Sequence, residues 1–219
     1  MQPNPPIVIG YTALPPAGRG PGVLLCHPWW GLNDDIRARC DSLAAAGYVV
    51  IAPDLWGGVV ASTIDEAESL ITARDGAAML AAVNAALATL ATHPAVTPGP
   101  LGAIGFSMGA AWALHLSTVS QQIGAVAIFY GTDVADFAAS HAAYQGHFAP
   151  GDPWEPDDAV RDLEQSMRDV GRDAQFFWYE ATQHWFMEPS RPEHDVAAAT
   201  LAWDRTLAFL AGQLMKHGA

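Results

Sequence analysis

Basic residues are scarce in this chain, with 10 Lys and Arg against 23 Asp and Glu and a formal net charge of −13. A field of that sign repels polyanions, which excludes nucleic acid and anionic membrane surfaces as partners and disfavours anionic substrates unless local cations override it. Cysteine is scarcer still. The two present, Cys26 and Cys40, form no disulfide framework and no C-x-x-C pattern, so they read as reduced, buried thiols, and neither metal nor cofactor is expected. No apolar run approaches the length of a membrane span, and the opening Met1-Gln2-Pro3-Asn4-Pro5-Pro6 has no basic segment followed by an apolar one, so we expect a cytoplasmic protein. Internal repeats are also missing. What the sequence has in quantity is apolar residues, 51% of 219, enough to bury a large core in one domain spanning 1–219, with its core over about 22–212. A monomer or weak homodimer is expected.

The apolar runs are short and punctuated by Gly and Pro. Residues 7–11 suit a short edge strand, and 23–26, 48–52, 101–106, 125–130 and 175–179 suit buried strands. Residues 142–148 are poor β formers, yet they end at Pro150-Gly151-Asp152-Pro153, a plain loop signal. Between these runs the apolar spacing turns helical. Asn33 or Asp34 caps a helix with Ile36, Cys40, Leu43 and Ala44 on one face and Gly47 at its end. After an irregular segment, Met79, Leu80, Val83, Leu87 and Leu90 mark a helix stopped by Pro94. A third runs from Ala110 to about Gln121, and a fourth opens at Pro156 and Asp157 with Val160, Leu163, Met167 and Val170 inward. The last has Val196, Ala199, Trp203, Leu207 and Leu210 as its buried stripe. Strands alternating with helices predict an α/β fold: a doubly wound, mainly parallel sheet with helices on both faces and a ligand site at the strands' carboxyl ends.

One turn between strand and helix carries chemistry. Gly105-Phe106-Ser107-Met108-Gly109 has the G-x-S-x-G form of a nucleophile elbow, where a strained backbone presents the serine hydroxyl. The pattern alone is weak, since a glycine-rich turn can hold an incidental serine. A serine needs a histidine to take its proton and an acid to orient that histidine, and Asp152 and His184 follow Ser107 in that order, each just past a predicted strand. Asp133 is the rival acid. The other histidines after Ser107 lack a loop of the right order. An oxyanion would need amide donors, for which Met108 follows the nucleophile and Trp29 is the first amide available after Pro28 in the turn His27-Pro28-Trp29-Trp30-Gly31. His27 reads as a brace of that turn. Trp30, Trp56, Trp154 and Trp185 lie in the same loops, where tryptophan can line an apolar pocket or equally cover core.

With these stretches in place, the chain resembles the dienelactone hydrolase family of α/β-hydrolases over roughly 23–210. The likeness is most specific in 27–33, Pro53-Asp54-Leu55-Trp56, 105–109, the run Gly146-His147-Phe148-Ala149 through Asp152, and His184 with Phe186. It implies Ser107 as nucleophile, Asp152 as acid, His184 as base and the Trp29 and Met108 amides as oxyanion hole. The chain departs from the family pattern at three points. A serine stands where that pattern has cysteine, Pro28 stands where it has a glutamate, and Glu188 stands where it has the arginine that holds a substrate carboxylate. Glu188 is therefore expected to line the pocket and repel carboxylates. The reading is a serine hydrolase acting on small, neutral, fairly apolar carboxylic esters or lactones; dienelactone-type hydrolysis, thioester or amide cleavage, and a non-catalytic binding protein are the alternatives.

Overall fold

A computed structural model describes residues 10–215. The elements in chain order are β1 (Tyr11–Ala13), β2 (Gly22–Cys26), α1 (Asp34–Ala45), β3 (Val49–Ala52), α2 (Ile64–Ala73), α3 (Gly76–Ala91), β4 (Leu101–Phe106), α4 (Met108–Val119), β5 (Ile123–Phe129), a 3-10 turn (Phe137–Ala139), β6 (Ala143–Phe148), α5 (Asp157–Asp169), β7 (Ala174–Trp178) and α6 (Val196–Leu214). The strands form a seven-stranded sheet in the order β1-β3-β2-β4-β5-β6-β7, parallel throughout except for β1 against β3. Most of the edge strand expected over 7–11 lies outside the described residues; its last residue, Tyr11, opens β1.

Alternation along each strand sorts side chains to two faces. Val23, Leu25, Ile104 and Phe106 join Ile36 and Cys40 of α1 and Ala199 and Trp203 of α6. Leu24, Cys26, Leu101 and Ala103 join Val83 and Leu87 of α3, Ala113 and Leu116 of α4, and Val160 and Leu163 of α5. Covering both faces makes β2, β3, β4 and β5 apolar throughout, as a parallel sheet requires. No single helix among the described residues is long and apolar enough to cross a membrane.

Three expectations need correction. The irregular stretch before α3 contains α2, whose N-terminus has a full capping box between Thr63 and Glu66. Only Ala67 of that helix is buried, so it carries no apolar stripe to announce it, although Thr63 followed three residues later by Glu66 was a legible start signal. Val170 and Val196 do not face inward. They stand at the end of α5 and the start of α6, 37% and 70% exposed, because the stripe reaches the sheet only within each helix.

The strand with the poorest propensity, β6, forms because its neighbours on both sides pair with it. Position in the sheet overrides intrinsic preference. Its polar residues are satisfied internally: His147 Nδ1 lies 2.7 Å from the Tyr179 hydroxyl, and His147 Nε2 lies 3.1 Å from Gln145 Oε1 and 3.0 Å from Thr206 Oγ1. Burial pushes His147 down to about 3, so it stays neutral and structural.

Candidate active site

The order in which strands are added to the sheet reverses between β2 and β4, since β3 lies on one side of β2 and β4 on the other. In open α/β sheets such a switch point leaves a crevice at the carboxyl ends. The turn after β2 carries Trp29, and the turn after β4 carries Ser107.

Ser107 has φ +48 and ψ −119, a conformation that non-glycine residues rarely adopt and that costs on the order of 1–3 kcal/mol. Neighbouring backbone holds it there: the Ser107 amide donates to the Phe129 carbonyl at 2.9 Å, and the Ser107 carbonyl accepts from the Ala110 amide at 2.8 Å. Close approach is possible only because the flanking residues lack side chains. A Cβ on Gly105 would lie 2.2 Å from the Gly109 carbonyl oxygen, and one on Gly109 would lie 2.2 Å from that of Cys26 and 2.7 Å from that of His27. Gly109 thereby seats the first turn of α4 on the end of β2, beside the turn that carries Trp29. Gly109→Ala is expected to be doubly damaging. Overpacking against backbone costs about 1–3 kcal/mol or more, a fall in Tm of roughly 3–10 °C for a chain of this length, with loss of turnover beyond what the fraction unfolded explains. Thermal melts and initial rates on the same preparation check it; an unchanged Tm would mean that the two segments can separate freely.

The side chains of three loops converge. Ser107 Oγ is 3.0 Å from His184 Nε2, and His184 Nδ1 is 2.7 Å from Asp152 Oδ2. Asp152 is buried and fixed by its other oxygen, which accepts from the Trp154 amide at 2.9 Å. The rival Asp133 is exposed, and its carboxylate takes the amide of its own neighbour Val134. Among the described residues, neither the Trp29 nor the Met108 amide donates to a protein acceptor.

His27 clips the Trp29 turn in place. Its Nε2 accepts from the Leu55 amide at 3.0 Å, which leaves the proton on Nδ1 to donate to the Pro28 carbonyl at 2.6 Å. Complete burial lowers its pKa, so the clip works as neutral imidazole. Trp56 reinforces it by donating from its indole to the Trp29 carbonyl at 2.7 Å.

Two of the tryptophans expected in a pocket wall therefore stand behind it. Trp56 is fully buried under the turn, and Trp30 is buried against Trp29 and Trp185 with ring centroids 5.3 and 5.1 Å away. Trp154, 42% exposed, and Trp185 do reach the site, their rings 6.2 and 4.8 Å from the His184 ring. Trp29 packs against both, at 5.0 Å from Trp154 and 5.9 Å from Trp185. A depression of about 190 Å³ lies against the outer side of this group, lined by Asp152, Trp154, His184, Trp185 and Glu193 among others.

Glu188 departs furthest from expectation. It lines no open pocket: it is 1% exposed, and its Oε1 accepts from the Tyr130 hydroxyl at 3.0 Å while Oε2 is buried without a partner. Burial raises its pKa to about 8, so at neutral pH it is mostly the uncharged acid and offers little repulsion to an anion. Sequence reasoning also missed Tyr130, which it placed at the end of a strand. Its ring lies 4.9 Å from that of His184, and only its φ of +36 marks it as part of a turn. Glu155 was missed as well; it accepts from the Thr132 hydroxyl at 2.6 Å and ties the loop after β5 to the loop that carries Asp152, with burial raising its pKa.

Both cysteines are buried, and burial pushes each thiol up to about 12. Neither supplies a thiolate at neutral pH.

Comparison with known proteins gives a consistent result. The model of the dienelactone hydrolase family matches residues 8–214. Protein usf of Aquifex pyrophilus is 30% identical over 213 residues, which is 92% of each chain. The carboxymethylenebutenolidase of Pseudomonas putida is 26% identical over 223 residues, covering 93% of this chain and 89% of its own. Among solved structures, a dienelactone hydrolase-like promiscuous phosphotriesterase from metagenomic libraries has a TM-score of 0.79 at 24% identity, over 90% of this chain and 88% of that one, a likeness of fold.

Proposed function

The chain belongs to the dienelactone hydrolase family and is a hydrolase acting on ester bonds, and from that premise we propose that it cleaves small, neutral, fairly apolar carboxylic esters or lactones through an acyl-Ser107 intermediate. The observation that carries the reading is the hydrogen-bonded relay from Ser107 through His184 to Asp152, at 3.0 and 2.7 Å. The serine hydroxyl donates to neutral His184 Nε2, and its proton passes there as Oγ attacks the carbonyl carbon. Asp152 fixes the proton on Nδ1 and stabilises the imidazolium. The amides of Trp29 and Met108 receive the oxyanion. The imidazolium then protonates the leaving alcohol, and water attacks the acyl-serine by the same route in reverse. Cysteine and glutamate are not needed in this scheme: His184 alone activates a serine, and Pro28 serves only through its carbonyl, which holds His27.

Preference for neutral substrates rests on the indole wall of Trp29, Trp154 and Trp185 and on the chain's net charge of −13; the buried Glu188 no longer contributes. A panel of esters of graded acyl length, each paired with an isosteric carboxylate, tests this. The neutral partner is expected to have about tenfold higher kcat/KM, with the gap narrowing as salt is added, because the repulsion is screened. Equal or better turnover of the carboxylate would return the substrate to the acidic lactones.

A further inference from the structure

Tyr130 and Glu188 form a buried pair behind His184 that the relay does not use. Tyr130 follows β5 directly, in a left-handed conformation with φ +36, and its amide donates to the His147 carbonyl at 2.8 Å. Its predecessor Phe129 supplies the carbonyl that accepts from the Ser107 amide. The Tyr130 ring faces that of His184 at 4.9 Å and 56° and that of Phe186 at 5.5 Å and 70°. Its hydroxyl points into the core and donates to Glu188 Oε1 at 3.0 Å.

Glu188 belongs to the same loop as His184 and is folded back on it, since its amide donates to the Trp185 carbonyl at 2.9 Å and its carbonyl accepts from the Arg191 amide at 2.9 Å. Trp185, between them, is itself in a left-handed conformation with φ +66. A closed circuit results, from His184 along the loop to Glu188, across to Tyr130 and back through ring contact to His184. Two strained residues persist because the circuit over-determines them. A buried carboxyl with one unpartnered oxygen is a costly way to fill space, and an apolar side chain would do that better. Glu188 differs from a space-filler in offering an acceptor to the phenol.

We propose that Glu188 is a positioning residue for His184, acting through Tyr130: its carboxyl fixes the phenol, and the Tyr130 ring holds the imidazole at the angle from which Nε2 meets Ser107. The inference rests on the reading of Ser107, His184 and Asp152 as the reacting relay. Other charged groups facing Glu188 are Asp35 and Arg39 from α1 and Arg191 and Glu193 from its own loop, and none of them takes its place as acceptor for Tyr130.

The test compares Glu188→Gln, Glu188→Leu, Tyr130→Phe and the Glu188→Leu, Tyr130→Phe double variant, measuring kcat and KM on a small neutral ester across pH, with thermal melts alongside. Gln retains an acceptor for the phenol and is expected to keep kcat within about threefold. Leu and Phe each are expected to lower kcat by about tenfold with KM within about twofold, and to move the acid limb of the kcat/KM profile in the same direction as each other. The double variant should be no worse than either single, as for two residues in one circuit. Wild-type kcat and an unmoved pH profile in Tyr130→Phe, which removes one oxygen and folds if any of the set does, would overturn the proposal whatever happens to Tm. Equal losses in the Gln and Leu variants would overturn it too. Ser107→Ala assayed in parallel separates the two readings: full activity there would discard the relay, whereas its inactivity with a silent Glu188 series discards only the positioning role.

Discussion

Replacing Ser107 by alanine is expected to lower kcat/KM by on the order of 10³ or more, since relay members act as a unit and the residue left behind offers no nucleophile. The hydroxyl has the features that the step requires: a strained turn that presents it, a hydrogen bond of 3.0 Å to His184 Nε2, and free amides beside it. Covalent labelling by a fluorophosphonate should be lost in the same variant. Thiol alkylation of the wild type should leave turnover intact, because Cys26 and Cys40 are buried and their thiols are raised to about 12. Retention of more than about a tenth of wild-type kcat/KM would displace Ser107 from its role.

Asp152→Asn is expected to cost on the order of 10³–10⁴ in kcat with a small change in KM. The size follows from what the carboxylate does at 2.7 Å from Nδ1. In the proposed mechanism it keeps the proton on that nitrogen, so that Nε2 is free to accept, and it balances the imidazolium in a buried setting where an uncompensated charge is expensive. An asparagine can instead donate to Nδ1, which puts the imidazole proton on Nε2 and blocks the base. Asp133→Asn, exposed and bonded to its own neighbour, should be neutral. If the two variants exchanged these outcomes, the acid would belong to the loop after β5.

The convergence of Ser107, Asp152 and His184 into one candidate site could be read before the fold was known, because the elbow spacing and the order of the three residues are local or one-dimensional facts. Loops that follow successive parallel strands must emerge at the same edge, which turns order in the chain into proximity in space. Burial direction is another kind of fact. Trp30, Trp56 and Trp185 each stand in a loop that follows a parallel strand, and what separates wall from foundation is whether the ring meets His184 or the underside of the Trp29 turn. Glu188 illustrates the limit more sharply. Its place where the resembling family carries an arginine suggested a charge lining the pocket, but the turn from Trp185 to Arg191 folds it inward onto Tyr130. In β6 the weak propensity of 142–148 was overridden by pairing on both sides, whereas α2 was overlooked because a helix lying on the surface leaves no apolar period.

The buried titratable groups pull folding stability in opposite directions along the pH axis. His147, lowered from 6.5 to about 3, and His27, lowered in the same direction, leave the unfolded chain as the better proton binder, so their stabilisation is complete above 6.5 and is lost as pH falls toward their folded values. Glu188 has the opposite sign. Raised from 4.5 to about 8, it makes the folded chain the better proton binder; its stabilisation is present below 4.5 and is lost as pH rises through 8, and the raised Glu155 adds to that slope. Above 6.5 the histidine contribution is level and the carboxyl contribution still falls. Over 6.5 to 8, rising pH is therefore the direction in which Glu188 loosens the fold, and the stabilisation that Glu188 and the two histidines supply together is fullest toward the acidic end of that interval.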